Sequence, residues 1–549
     1  LILDLPLELE TVDWLLIAAA LLGLYALLLL PLKDSEEWKS RGISVGSILG
    51  IPLAIFFRTT RGLDLLDRLA RPKFFWRAVA SAGIPLVVLS MAYFLLLVLL
   101  MTFLMIQEPP EPSSYNEPRN ILLIPGLNEY IPFIWGWIAL FVTLLVHEFA
   151  HGILSRVEGV RVKSMGIVTV LIAPIAAFVE PDDEELFGGK DRPPLVDKRA
   201  RIRILSAGVI SNFIVAAAAL ALFFGPVIGA ISPVDRLIVV DVEDSSQAQR
   251  EGYQMGMVLM QAEGKDISSL EQFYHDLAGS ETSPSGLLFK DRERALPLPG
   301  QPQQGILVGS IFKDSGAYQA GLPANSVITE IDGQKTADLA GFRELMNSTR
   351  PGQMVNITTA EGRIYPVNLT ARDGASVEQG GFIGITISGN AIFSGGATFQ
   401  EAPARLILQL FKAIPGMGLD GFHLMLSLPF AGVPGLSQKG FPGFSGWLTA
   451  VFEPSGWAQP LGEKLFWIAN LLLWIGWINL YAGLFNCLPA VPLDGGHIFR
   501  DLVQSGFERI VRAEEAERLT RTTVAILTWL VLTSLLITII APFTNGLSI

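Results

Sequence analysis

The feature that most constrains this chain is a series of apolar runs, each close to the ~20 residues that carry a helix across a bilayer. Six such spans are read, at 14–31, 78–105, 131–155, 204–225, 465–486 and 522–541. Half of the 549 residues are hydrophobic, 17% are charged and the mean hydropathy is +0.46, where a soluble domain of this length would carry more charge. Backbone exposed to lipid must satisfy its own hydrogen bonds, so such runs fold as helices. The expected fold class is therefore a polytopic α-helical membrane protein. The first run sits in a polytopic pattern and lacks a basic flank, so it is read as a span rather than as a cleaved signal peptide.

Lys and Arg sort the loops. The segment after the first span holds Lys33, Lys39, Arg41, Arg58, Arg61, Arg68, Arg71, Lys73 and Arg77. The segment after the third holds Arg161, Lys163, Lys190, Arg192, Lys198, Arg199, Arg201 and Arg203, and the one after the fifth holds Arg500, Arg509, Arg512, Arg518 and Arg521. Loop 107–130 has only Arg119, and the first 13 residues have no Lys or Arg. The positive-inside rule puts the three basic loops in the cytoplasm and both ends outside. A net charge of -12 argues against a nucleic-acid partner. The single cysteine, Cys487, excludes an intrachain disulfide and leaves the compartment open.

Two apolar stretches do not fit the span pattern. Residues 43–57 are too short, and are read as re-entrant or interfacial. Residues 164–180 contain Gly166 and Pro174 between two cytoplasmic flanks. A β-hairpin or re-entrant loop fits them better than a span, because irregular backbone at membrane depth must line a cavity or be buried.

Between the fourth and fifth spans, residues 230–400 form an extracytoplasmic insert with an internal repeat. Gly252, Val258, Gly264, Leu270 and Phe273 recur as Gly321, Val327, Gly333, Leu339 and Phe342, each 69 residues later (321 − 252). VITEI (327–331) reads as a strand, Asp332-Gly333 as a tight turn and 338–347 as a short helix. The pattern resembles the PDZ family in its bacterial arrangement, closely for 303–371 and more loosely for 235–299. That resemblance implies an extended peptide ligand added to a sheet edge. The plainer reading is that the modules only shield the membrane core.

The third span ends in LLVHEFAHGIL. His147 and His151 are four apart and share a helix face, which suits two positions of a tetrahedral zinc. Glu148 stands where a carboxylate can take a proton from water at the metal. A surface histidine pair is the plain alternative, but ionisable residues at the end of an apolar span are costly and usually functional. The fifth span ends in LYAGLFNCLPAVPLDGGHIF, where a Pro-rich run breaks the helix and turns an aspartate back toward the bundle.

This string resembles the second signature of the site-2 protease family of intramembrane zinc metalloproteases. It is carried here by Asn486, Pro489, Pro492, Leu493, Asp494 and Gly495, with one extra residue between the prolines. The resemblance implies that Asp494 is the third zinc ligand, beside His147 and His151, and that Glu148 is the catalytic base. The stretches AAFVEPDDEEL (176–186) and RILSAGVISNF (203–213) resemble the family's archaeal members, although Val209 stands where a proline is usual. By the same likeness Asn212 and Asn486 become substrate-backbone or oxyanion contacts; helix–helix hydrogen bonds are the plain alternative. In this family a segment like 164–180 can pair with the substrate. His497, His275 and His423 are assigned to no metal, and Cys487 is read as a buried thiol.

The expected division is a membrane domain at 1–229, PDZ-like domains at 230–300 and 301–372, a linker with an amphipathic segment at 373–464, and a second membrane domain at 465–549. The expected function is zinc-dependent hydrolysis of single-span membrane proteins, with the lipid bilayer as the medium and the active site near the cytoplasmic side. The alternatives weighed are a CAAX-type membrane zincin, a metal transporter and an inactive PDZ scaffold.

Overall fold

A computed structural model of the chain describes residues 11–33, 35–48, 50–110, 117–121, 123–170, 173–189, 192–278, 286–290, 292–371, 380–430 and 440–543. In chain order the principal elements begin with α1 (Thr11–Lys33), β1 (Ile43–Ile48), β2 (Ile51–Thr59), α2 (Lys73–Gln107), α3 (Phe133–Glu158), β3 (Val162–Val170), β4 (Ala173–Pro181) and α4 (Lys198–Leu222). There follow β5 (Leu237–Val242), β6 (Val258–Ala262), α5 (Leu270–Ala278), β7 (Gln303–Ile311), β8 (Val327–Ile331), α6 (Leu339–Asn347), β9 (Met354–Thr359), β10 (Ile364–Asn368), β11 (Ile385–Ser394) and β12 (Ala397–Glu401). The chain ends with α7 (Lys464–Asn486), α8 (Asp494–Phe507) and α9 (Ala513–Ile540). Two compact units result, Leu1–Leu222 with Leu471–Ile549, and Phe223–Asn470.

Among the described residues, five helices are long and apolar enough to cross a bilayer: Lys73–Gln107, Phe133–Glu158, Lys198–Val227, Lys464–Asn486 and Ala513–Phe543. They match five of the six expected spans, and the chain is a multi-pass helical membrane protein. The first expected span coincides with α1, of which Leu22–Lys33 stands out as a shorter apolar helix.

In the first unit the helices approach closely where glycine removes a side chain. A Cβ at Gly476 on α7 would lie 2.6 Å from Leu220 of α4, and one at Gly483 would lie 2.6 Å from Phe213. Small residues at such crossings let backbones pack without a hydrophobic drive between helices. Glu158 anchors the end of α3, receiving Arg77 of α2 at 3.0 Å and Arg203 of α4 at 2.8 Å. Gly159 stops α3 in the left-handed conformation (φ +91°), where glycine carries no Cβ penalty.

The chain then enters a four-stranded antiparallel sheet ordered β1-β2-β3-β4. Residues 164–180 thus form the expected hairpin. Residues 43–57 form a second hairpin, Ile43 opposite Phe57 and Ile55 opposite Thr169, so that the two hairpins make one sheet. Gly166 is required where they meet, because a Cβ there would stand 2.0 Å from the carbonyl oxygen of Phe57.

The second unit holds an 11-stranded sheet whose main path runs β10-β9-β8-β7-β11-β12-β5-β6 and ends in the short strand Lys265–Asp266. Each repeat has its own apolar core. That of the second includes Ile306, Val308, Ile328, Phe342, Val355 and Ile357. That of the first includes Leu237, Leu259, Leu270 and Phe273, together with Ile392, Ala397 and Phe399. Residues 385–401, expected within a linker, are therefore two strands, and β12 is a strand of the first repeat reached only after the second is complete. Gly389, Gly395 and Gly396 interrupt the apolar alternation of ITISGNAIFS and ATFQE, which hides the two strands in the sequence.

Candidate metal centre

Three ligand atoms converge in the first unit. His147 Nε2 and His151 Nε2 are 3.1 Å apart, and Asp494 Oδ2 lies 3.1 Å from the first and 3.2 Å from the second. All three residues are largely buried; the histidines are 9% and 8% exposed. The sequence distance between His151 and Asp494 is 343 residues, so the cluster is a product of the fold rather than of local chain geometry.

The spacing fits zinc. Zn–N and Zn–O bonds of about 2.0–2.1 Å set tetrahedral edges of roughly 3.3 Å. The hydrogen-bond roles agree. His151 Nδ1 lies 2.8 Å from the carbonyl oxygen of Ile204, which can only accept, so the ring proton sits on Nδ1 and the Nε2 lone pair faces the cluster. Lone pairs of two imidazoles and a carboxylate then point at one another, an arrangement that a cation stabilises and that repels without one. A Cβ on Gly208 would lie 2.5 Å from His151 Nε2 and 2.6 Å from His147 Nε2. The space beside the ligand atoms exists because residue 208 has no side chain.

Helix α4 organises the site along one stripe. Arg201, Ile204, Gly208 and Asn212 follow at spacings of three, four and four, the helical repeat that keeps residues on one face. Ile204 orients His151, and Gly208 leaves the space. Asn212 Nδ2 is 3.1 Å from His147 Nδ1, while its buried Oδ1 has no partner among the described residues. With the amide turned over, its Oδ1 accepts the proton of His147 Nδ1. That turns the Nε2 lone pair of His147 toward the cluster, as for His151. Arg201 makes two 2.6 Å hydrogen bonds to the buried carboxylate of Asp501 on α8, the helix that opens with Asp494. The same α4 face thus holds both histidines and the helix bearing the aspartate.

Close packing brings α8 into position. A Cβ on Gly495 would be 2.3 Å from the carbonyl oxygen of Cys487, and one on Gly496 would be 2.5 Å from the carbonyl carbon of Ala490. The two glycines after Asp494 let the first turn of α8 rest on the chain that breaks α7.

Glu148 Oε2 accepts a hydrogen bond from the Val179 amide of β4 at 2.9 Å. β4 is an edge of its sheet, and this amide points away from β3, as the pleat then requires of Ala177 two residues back. Asn486 ends α7, half-buried, and its side chain makes no hydrogen bond among the described residues. His497 stays out of the ligand cluster, its ring centroid 5.4 Å from that of Phe187 and its Nδ1 without a partner among the described residues. Cys487 is fully buried in an apolar cluster with Val209 and Ile498. His275 is exposed, and neither it nor His423 joins the cluster. Arg201, Ile204 and Gly208 were not read as site residues; the available signal was their spacing to Asn212 on a single helix.

A helical membrane protein with two histidines of an HExxH helix and an aspartate of a second helix start around one point belongs to the class of membrane-embedded zinc metalloproteases. The model for Peptidase family M50 matches residues 135–434 and 448–530, more than half of the chain, and the chain belongs to that family. It is 31% identical over 247 residues to an uncharacterized protein of Methanocaldococcus jannaschii, covering 45% of this chain and 60% of that one. It is 25% identical over 320 residues to a Clostridium perfringens protein provisionally named a zinc metalloprotease, covering 54% and 87%. To Protease RseP of Yersinia pestis it is 24% identical over 413 residues, covering 66% and 88%.

Proposed function

We propose that this chain is an intramembrane zinc metalloendopeptidase that hydrolyses peptide bonds within or near the spanning segments of membrane-anchored proteins. The observation that carries the reading is the convergence of His147, His151 and Asp494 inside a bundle of membrane-crossing helices. Membership of Peptidase family M50 favours it over a CAAX-type zincin, a transporter or an inactive scaffold.

His147, His151 and Asp494 would hold the zinc, three protein ligands with a fourth position left open being the pattern of a catalytic site. Bound there, zinc would supply Lewis-acid chemistry and would lower the pKa of a water toward about 7. Glu148 is placed to act as the base, and its carboxylate would take a proton from the attacking water and return it to the leaving amine. The Val179 amide holds the carboxylate in position in the meantime. Asn212 and Ile204 fix the ring orientation of the two histidines.

Hydrolysis needs an extended substrate, because a helical peptide bond is enclosed in its own hydrogen-bond ladder. The outer edge of β4 beside Glu148 can accept one as an added strand through the outward groups of Ala177. Asn486, whose side chain makes no hydrogen bond among the described residues, is suited to a substrate carbonyl and is the second backbone contact in this reading. The substrates are single-span membrane proteins.

The positive-inside rule supports six spans, with the repeat-bearing insert extracytoplasmic and the metal centre near the cytoplasmic side. The PDZ-like reading of the insert rests on its repeat and on the strand–helix order described above. Glu148→Gln tests the assignment of the base. The variant is expected to retain zinc and fold, and to cleave a reconstituted single-span substrate at less than a hundredth of the normal rate. Near-normal cleavage would remove Glu148 from the mechanism.

A further inference from the structure

The two repeats hold a glycine-containing loop in the same way. In the second, the Phe312 amide donates to the Gly384 carbonyl at 2.9 Å and the Ala317 amide to that of Ile383 at 3.0 Å. In the first, the Glu243 amide donates to the Gly396 carbonyl at 2.8 Å and the Ala248 amide to that of Gly395 at 3.0 Å. Both pairs of donors are separated by the repeat offset of 69 (312 − 243 and 317 − 248). Gly395–Gly396 is therefore the counterpart of Ile383–Gly384, and β12 is the counterpart of the first half of β11. The helices correspond too, α5 and α6 being nine residues each and offset by the same 69 (339 − 270).

The counterpart strand edges have different partners. In the second repeat, the start of β11 pairs on one side with β7, Ile385 opposite Ile311 and Ile387 opposite Val308. Its other side borders a groove of about 1150 Å³ lined by Phe342, Arg343, Met346, Phe382, Ile385 and Ile387. Ile383 and Gly384 are buried residues at its end, and their amides donate to nothing among the described residues. Unpaired buried amides are rare in folded proteins, and adjacent backbone N–H groups in a loop make an anion site of the kind that captures terminal carboxylates.

In the first repeat the equivalent edge is already taken. Ala397, Thr398 and Phe399 of β12 pair with β5 on one side, and with Ser394, Phe393 and Ile392 on the other. Ile392 is 0% exposed and shares the core of Leu270 and Phe273 from α5. This segment of β11 runs antiparallel to β12 and ends at the glycine loop, the position and polarity of a peptide added to the edge with its C-terminal end at the loop. Gly395 and Gly396 (φ +53° and +97°) then turn the chain straight into β12. A two-residue tether keeps the segment at an effective concentration of roughly millimolar or above, more than a dilute peptide can displace.

We propose that the peptide groove of the first repeat is permanently filled by the chain's own Ile392–Ser394, so that the pair offers a single receptive groove, that of the second repeat. That groove is left for the ligand that the PDZ likeness implies, the free C-terminal end of an extended peptide. Its carboxylate meets the amides of Ile383 and Gly384, Arg343 adds positive charge, and an apolar last side chain lies among Phe342, Met346 and Ile385. The inference rests on the PDZ-like reading of the insert and is independent of the chemistry at the metal centre.

The test uses full-length Glu148→Gln protein in detergent, so that hydrolysis does not consume the probe. A pool of fluorescein-labelled decapeptides, randomised but for a terminal valine or leucine, is titrated beside an amidated twin pool. The strongest binder is then rebuilt with a photo-cross-linking side chain. One peptide per chain, at least tenfold weaker binding of the amidated form, and adducts within 342–346 or 382–387 are expected. Two peptides per chain, adducts on α5 or β12, equal binding of the amidated form, or no binding by either pool would overturn the proposal. Hydrogen exchange supplies a peptide-free check: slow exchange of the 397–399 amides is expected, and fast exchange would show the first groove open. Because every readout is binding or exchange, failure here leaves the protease reading intact, and failure of cleavage leaves this result intact.

Discussion

Gly208→Ala adds one methyl group where the space for a metal is made. Its Cβ would lie 2.5 Å from His151 Nε2 and 2.6 Å from both Nε2 and Cε1 of His147, nearly 1 Å inside ordinary contact. Neither ring has a free direction in which to yield. His151 is tied through Nδ1 to Ile204 at 2.8 Å, and His147 is held by Asn212 at 3.1 Å. Overpacking of this kind costs about 1–3 kcal/mol, and here the strain falls on the ligand atoms themselves. At about 1.4 kcal/mol per decade, zinc affinity should fall roughly 5- to 150-fold, with cleavage falling at least as far. Competition with a chromogenic zinc chelator on purified protein reads the affinity. Gly225→Ala is the control, because a Cβ there meets nothing within 4 Å. Wild-type zinc affinity in Gly208→Ala would refute the argument that this glycine shapes the site.

The other expectations concern the groups around the ligands. Asn212→Ala should weaken zinc about 10- to 100-fold, the usual effect of removing a partner of a metal-bound histidine, whereas Asn212→Asp, which keeps an acceptor for His147 Nδ1, should retain most of it. Equal zinc affinity in both variants, with cleavage alone reduced, would instead make Asn212 a substrate contact. Arg201→Ala leaves the Asp501 carboxylate buried and unpaired, which costs about 3–5 kcal/mol. A large drop in melting temperature is expected, recovered in part by adding Asp501→Leu; an unchanged melting temperature would mean that the pair does not hold α8. Asp494→Ala should lose zinc as His147→Ala does while His497→Ala keeps it, and full metal content in Asp494→Ala would remove the aspartate from the ligand set.

The chemistry-bearing residues were legible in the sequence because their pattern is local. His147, Glu148 and His151 fall within one and a half helical turns, and Asp494 follows a run of prolines that no helix continues. The hairpin at 164–180 was legible because Gly166 and Pro174 contradicted a span. The hairpin at 43–57 was not, since a short run apolar on both faces reads equally as strand or buried helix. The α4 stripe was not legible for a different reason. Arg201 and Gly208 are ordinary residues at the end and middle of a span, and their roles depend on Asp501 and the histidines, partners remote in sequence. β12 lay furthest from view. Its pairing with β5 spans the whole second repeat, and nothing in ATFQE announces a partner more than 150 residues earlier.

The central claim is that zinc-dependent hydrolysis takes place inside the membrane, and the position of the cut tests it most directly. Wild-type protein is reconstituted in liposomes with a single-span substrate, and the products are located by mass spectrometry. The account predicts a new end within or at the border of the apolar segment, loss of cleavage after chelation, and recovery when zinc is restored. Cleavage confined to the substrate's soluble part, or cleavage that persists without metal, would contradict it.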